Sequence, residues 1–187
     1  MQPAFKQTIY EQLEALPEGL TGEILNGQLH TQPRPTAPHL RVESTLGSKV
    51  HRRYDEGDGG PGGWWILVEP ELHFVRDTEV LVPDIAGWRR ERMPSLPDGH
   101  RFEVAPDWVC EILSPSTESK DREIKMPIYA HYGVAYAWLV VDSGRRTLEA
   151  FALSEGQWEV IAKAEGGQVV SIRPFEAMRL ELGTLWS

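Results

Sequence analysis

A single cysteine stands in 187 residues. An intrachain disulfide is excluded, and the count suits a reducing cytosol. Long apolar runs are missing as well, since none approaches the ~18 consecutive apolar residues of a membrane span. The N-terminal stretch MQPAFKQTIYEQLEALPEG carries acids and lacks the apolar core of a secretory signal. The expectation is a soluble, cytoplasmic protein with no membrane partner. Positive charge is also scarce. A net charge of −9 argues against coating nucleic acid by bulk electrostatics. The glycine-rich DGGPGG has neither the lysine nor the following helix of a phosphate-cradling loop. The serines of EILSPST lack the framing glycines of a nucleophile elbow. The seven tryptophans are not interleaved with basic residues as a base-stacking surface would need. Internal repeats and low-complexity segments are absent.

What is present is an ordinary globular composition, 41% hydrophobic and 25% charged. The length fits one domain, 1–187, with an N-terminal helix and hairpin over 6–31, a core over about 37–142 and C-terminal strands over 147–187. Lys6 to Leu16 has a helical pattern. Asn26-Gly27 between two short alternating runs predicts a type I′ hairpin, which would set Glu23 opposite His30. Ala37 to Tyr54 reads as a helix, and His39 as a residue of its start. Strands are expected at Trp64 to Val68, Glu71 to Val75, Val80 to Trp88 and Asp107 to Leu113. A helical region between Thr117 and Tyr132, stopped by Gly133, precedes the fully apolar strand VAYAWLVVD. A helix between two such strands is a crossover that permits parallel pairing. The tail reads as a meander of edge strands. Together these predict an α/β fold: a mixed central sheet flanked by helices, with an antiparallel N-terminal hairpin and a C-terminal strand extension.

Two acids interrupt apolar strands. Glu111 sits among Val109, Cys110, Ile112 and Leu113, where a bare carboxylate is costly to bury. Alternation places Asp84 on a face with Val80, Val82, Ala86 and Trp88. A lone buried acid is satisfied by protonation, backbone amides or an arginine. Two converging acids repel, and a hard divalent cation relieves that repulsion while using both as ligands. Asp121, Lys125 and Tyr129 follow at i, i+4, i+8, so Lys125 could reach the rim of such a site or simply answer Asp121. Cys110 points to the other face, which argues against thiol chemistry. Arg34, Arg41, Lys49, Arg52 and Arg53 face only Glu43 in their stretch, a local cationic patch. The arginines Arg89, Arg90 and Arg92 read as solvated.

These segments resemble a known family. GEILNGQL, APH, VPDI, EILSPST, DREIK, YAHYGV and AWLVVD fall in the order found in the Uma-two family, a bacterial branch of the PD-(D/E)XK restriction-endonuclease-like superfamily. The resemblance runs from about Leu16 to Val141 and more loosely into LELGTLW. It implies a restriction-endonuclease-like fold and a nuclease hydrolysing phosphodiesters in nucleic acid, with DNA as the expected partner and Mg²⁺ or Mn²⁺ as cofactor. It makes Asp84 and Glu111 the metal-binding acids, with the carbonyl of Ile112 completing the shell. Superfamily sites commonly carry a lysine two residues after the second acid. Leu113 stands there, so the resemblance moves that role to Lys125. Glu23 matches a family glutamate near the site. A homodimer is an expectation of the same reading, because duplex-cutting enzymes often need two sites. Two other readings stay open: a binding or regulatory module that keeps the fold without cutting, and a plain core in which both acids are salt-bridged.

Overall fold

Thr8 starts the first helix by reciprocal capping. Its hydroxyl accepts the Glu11 amide at 3.1 Å, and the Glu11 carboxylate accepts the Thr8 amide at 2.8 Å. This helix, α1, covers Ile9–Glu14. The computed structural model describes residues 7–141 and 144–187; Lys6 and Asp142, included above in a helix and a strand, lie outside the described residues.

Strands β1 (Leu20–Leu25) and β2 (Gln28–Pro33) form the predicted hairpin. Asn26 and Gly27 take φ of 51° and 72°, and Glu23 pairs with His30. Helix α2 (Ala37–Val50) runs on through a π-helical turn, His51–Asp55. Then come β3 (Trp64–Val68), β4 (Glu71–Val75), β5 (Glu79–Leu81), β6 (Ile85–Arg89), β7 (Arg101–Phe102) and β8 (Trp108–Leu113). The crossover is helical from α3 (Glu118–Lys120) through a π turn, Asp121–Lys125, to α4 (Met126–His131). It leads to β9 (Tyr136–Val141), followed by β10 (Thr147–Ser154), β11 (Gln157–Glu165), β12 (Val169–Val170) and β13 (Leu180–Glu181).

A six-stranded mixed sheet is ordered β11-β10-β9-β8-β6-β3, with β8 and β9 parallel as the crossover requires. A five-stranded sheet is ordered β2-β1-β5-β4-β7. Two expectations change. The run Val80 to Trp88 is not one strand: β5 and β6 belong to different sheets, and Pro83, which has no amide hydrogen for a ladder, marks the break. The segment Thr147–Ser154 is not an edge strand, because β10 lies between β9 and β11.

Alternation along β8 divides the core. Trp108, Cys110 and Ile112 join α2, Phe175 and the C-terminal leucines in one cluster. Val109 and Leu113 join Met126, Ile128 and Tyr129 of α4, with Leu25, Leu72 and Leu81 of the second sheet, in another. Glu111 shares the strand parity of this second set, on the side covered by the crossover helix and the hairpin sheet.

Candidate active site

β6 begins where its register with β8 ends. The pairs Gly87–Trp108, Ala86–Val109 and Ile85–Cys110 stop at Ile85. One further step would set Asp84 opposite Glu111. Asp84 instead occupies a bend, its carbonyl accepting the Glu69 amide at 2.9 Å. Its Oδ2 accepts the Ile112 amide, and its Oδ1 lies 3.0 Å from His39 Nε2. The N–H and C=O of a residue in an extended strand point to the same edge. The Ile112 carbonyl is thus directed toward the side on which Asp84 sits.

Glu111 has buried partners. Tyr129 Oη donates to its Oε1 at 2.6 Å, and Lys125 Nζ lies 2.7 Å from the same oxygen. The lysine is shared. Its Nζ also lies 2.7 Å from Glu23 Oε1 and 3.9 Å from Asp121 Oδ1, and it donates to the Val82 carbonyl at 3.2 Å. Glu23 Oε1 accepts the Val82 amide at 2.9 Å. Glu23 Oε2 meets a second lysine, Lys120, at 2.7 Å, and Lys120 donates on to Gln32 at 2.6 Å. Glu23, Glu111, Asp121 and Lys125 are all buried.

The titration of the cluster follows from this sharing. Burial would raise Glu23, but Lys125 and Lys120 outweigh it and hold its carboxyl below the ordinary value. Glu111 is pushed up to about 8 by burial, against Lys125 and with help from Asp121, Asp84 and Glu23. Burial likewise raises Asp121. Lys125 is raised despite burial, because acids surround it. Three carboxyls, Glu23, Glu111 and Asp121, thus meet two ammoniums, while Asp84 meets His39 and the Ile112 amide and adds to the negative field on Glu111. Among the described residues, no group of three or more His, Cys, Asp and Glu side chains is arranged to hold a metal. Asp84, Glu111 and the Ile112 carbonyl would offer a cation oxygen donors of the kind Mg²⁺ accepts. In donor chemistry these residues fit such an ion.

A cleft of ≈ 510 Å³ opens on Asp84. Its lining includes Arg34, His39, Glu69, Ser114 and Ser116. His39, read from the sequence as a helix-start residue, instead reaches the acid 45 positions away, and the helix start at Thr36 has no side-chain cap. Lys120 was missed: in the polar string TESKDREIK nothing marks it, and its partner Glu23 lies 97 positions away. The cationic patch disperses. Arg41 donates to the Ser187 carbonyl at 2.8 Å, Arg52 pairs with Asp58 at 2.6 Å and Arg53 donates to the Gly59 carbonyl at 3.3 Å, leaving Arg34 alone of the five on the cleft. Nor are the following arginines merely solvated, since Arg90 pairs with Asp55 at 2.6 Å and Arg92 with Asp107 at 2.9 Å. Burial raises the Cys110 thiol well above its ordinary value, which suits an inert core residue.

A family model described as "Uma2: Putative restriction endonuclease" matches residues 9–183. An uncharacterized protein of Synechocystis sp. (strain ATCC 27184 / PCC 6803 / Kazusa), slr1290, is 25% identical over 142 residues, 74% of this chain and 70% of its own. A crystal structure of a protein from Anabaena variabilis ATCC 29413, described as "a putative nuclease belonging to DUF820", aligns with a TM-score of 0.74 at 22% identity. The alignment covers 97% of this chain and 98% of that one. At this identity the likeness concerns the fold. No helix among the described residues is long and apolar enough to cross a membrane.

Proposed function

Since the chain belongs to the Uma2 family and has a restriction-endonuclease-like mixed α/β fold, we propose that it is a divalent-metal-dependent nuclease that hydrolyses phosphodiester bonds, in DNA first of all. One observation carries this reading: Asp84, on the wall of an open cleft, accepts the amide of Ile112, the residue next to Glu111, whose carboxylate lies against a buried lysine.

Asp84, Glu111 and the Ile112 carbonyl would hold Mg²⁺ or Mn²⁺. When bound, the ion supplies an acidified water and charge neutralisation at the phosphoryl oxygens. The chain's own groups do the rest. Lys125, protonated and fixed by Glu23, holds Glu111 by an N–H and places a positive charge beside it. Tyr129 holds the Glu111 carboxyl by its second donor contact, and His39 fixes the orientation of Asp84. Glu23 is a positioning residue, because its contacts run to Lys125, Lys120 and the Val82 amide.

The test is cleavage of supercoiled plasmid and single-stranded circular DNA with Mg²⁺ or Mn²⁺, using wild type beside Asp84→Ala and Glu111→Ala. Cleavage by wild type and background levels in both variants is the expected result. Equal cleavage by all three preparations would assign the activity to a contaminant. A non-cleaving binding module is the second reading, favoured because Leu113 replaces the lysine two residues after Glu111 and Lys125 is already held by three oxygens. DNA binding without cleavage, together with no Mn²⁺ uptake in a titration, selects it.

A further inference from the structure

The cleft on Asp84 has the size of a small-molecule pocket, ≈ 510 Å³. That is room for on the order of one nucleotide unit, not for a double helix. Asp84 lines it, with 18% of its side chain exposed. A phosphate bound there must leave the outside of a duplex and descend with its sugar. A paired strand can do so only by unstacking and unpairing, whereas an unpaired strand avoids that cost.

Charge leads to the same place. A duplex presents about one negative charge per 1.7 Å, and proteins that follow it set out rows of Lys and Arg. Here Arg34 is the lone Lys or Arg among the residues lining the cleft, and Glu69 lies on the same wall. The other arginines of the 34–53 stretch are engaged with Ser187, Asp58 and Gly59. Beside Asp84 and His39 the other polar lining is uncharged: Ser114 Oγ lies 3.0 Å from Ser116 Oγ and 3.1 Å from Thr117 Oγ1, three hydroxyls at one edge. Pro33, Pro35, Pro38 and Pro115 make stiff apolar walls against which a sugar or base face can lie.

We propose that this cleft is a subsite for a single unpaired nucleic-acid strand, in which Arg34 and the Ser114, Ser116 and Thr117 hydroxyls take the phosphate next to the one that meets Asp84. The proposal rests on the nuclease reading and narrows its substrate to single strands, looped or terminal. Arg34 supplies the one full charge. The hydroxyls supply neutral donors, and Glu69 disfavours a second phosphate chain alongside.

The experiment is fluorescence anisotropy of labelled oligothymidine, oligouridine and a blunt DNA duplex of equal length. Asp84→Asn protein, which on the nuclease reading should not cut, is titrated at several salt concentrations. At least one single strand should bind on the order of tenfold tighter than the duplex, with a log–log salt slope of about −1 to −2, the signature of few phosphate contacts. Adding Arg34→Ala should weaken single-strand binding several-fold and flatten the slope, while adding Arg52→Ala, outside the cleft, should change neither. Duplex binding equal to or tighter than both single strands would overturn the proposal. So would equal losses in the two arginine variants, whose exposed positions leave folding intact by circular dichroism. The two readings fail separately. Wild type that cuts duplex plasmid, with duplex-preferring anisotropy, removes the subsite and keeps the nuclease. Single-strand preference without cleavage removes the nuclease and keeps the subsite.

Discussion

Removing the Lys125 ammonium would leave Glu23 and Glu111 buried against one another, with Tyr129, Lys120 and the Val82 amide as their remaining partners. Breaking a buried ion pair from one side costs about 3–5 kcal/mol. Lys125→Met should therefore lower unfolding stability by that order in urea denaturation, whatever it does to activity. A second residue, Glu43 of α2, sets a pH dependence. Its carboxyl is pushed up to about 7 by burial and by Asp84 and Glu69, against His39, and its Oε1 is buried without a hydrogen-bond partner. The folded chain holds this proton more tightly than the unfolded chain, whose value is 4.5. Its contribution is thus most favourable below pH 4.5, declines as pH rises toward 7, and stays unfavourable above that. Glu43→Gln should gain on the order of 1–3 kcal/mol over wild type at pH 8 and little at pH 4.5. Thermal unfolding in chelator at the two pH values checks it. Asp84 and Glu111 stood out at this scale because a charge within an apolar run is conspicuous, although Asp84 lies in a bend and not in a strand. Lys120 and His39 were not, because a lysine in a polar helix and a histidine at a helix start look alike whether solvated or engaged.

Among the elements, local chemistry carried furthest where it was self-sufficient. The Asn26-Gly27 turn fixed the hairpin register, and β3 and β4 fell where their apolar runs do. Alternation failed over residues 80–88, since its period of two continues across the gap between two strands as readily as through one strand. Pro83 was the available signal. The interior place of β10 had no local mark, because its burial depends on β11 folding back over it. Within β6, Gly87 stands out by the closeness of its neighbours rather than by its backbone conformation. A Cβ there would lie 3.0 Å from Ile66 Cδ1, 3.2 Å from Trp64 and 3.3 Å from Trp108. Gly87→Ala should overpack the sheet and cost about 1–3 kcal/mol. A lowered urea midpoint with an unchanged m-value is the expected signature.

At the scale of the whole molecule, the C-terminal segment closes one face of the main sheet. Leu180, Leu182 and Leu185 are buried in the cluster that α2 and Phe175 share, and Arg41 donates to the last residue's carbonyl. Deleting residues 182–187 removes two core leucines, each worth about 2–5 kcal/mol when truncated to alanine. The shortened chain should lose cooperative unfolding and gain dye-accessible apolar surface, measured by near-ultraviolet circular dichroism and dye binding. The sharing of Lys125 has a consequence in time. Glu23, Asp84, Glu111 and Lys125 come from a hairpin, a bend, a strand and a crossover helix, and β8 has its parallel partner only once β9 exists. On the ribosome the first acid of the cluster emerges long before its lysine, and the lysine before the strand that braces Glu111. A cluster assembled in that order is complete only late in synthesis, so a chain released early carries the acids without their full set of partners.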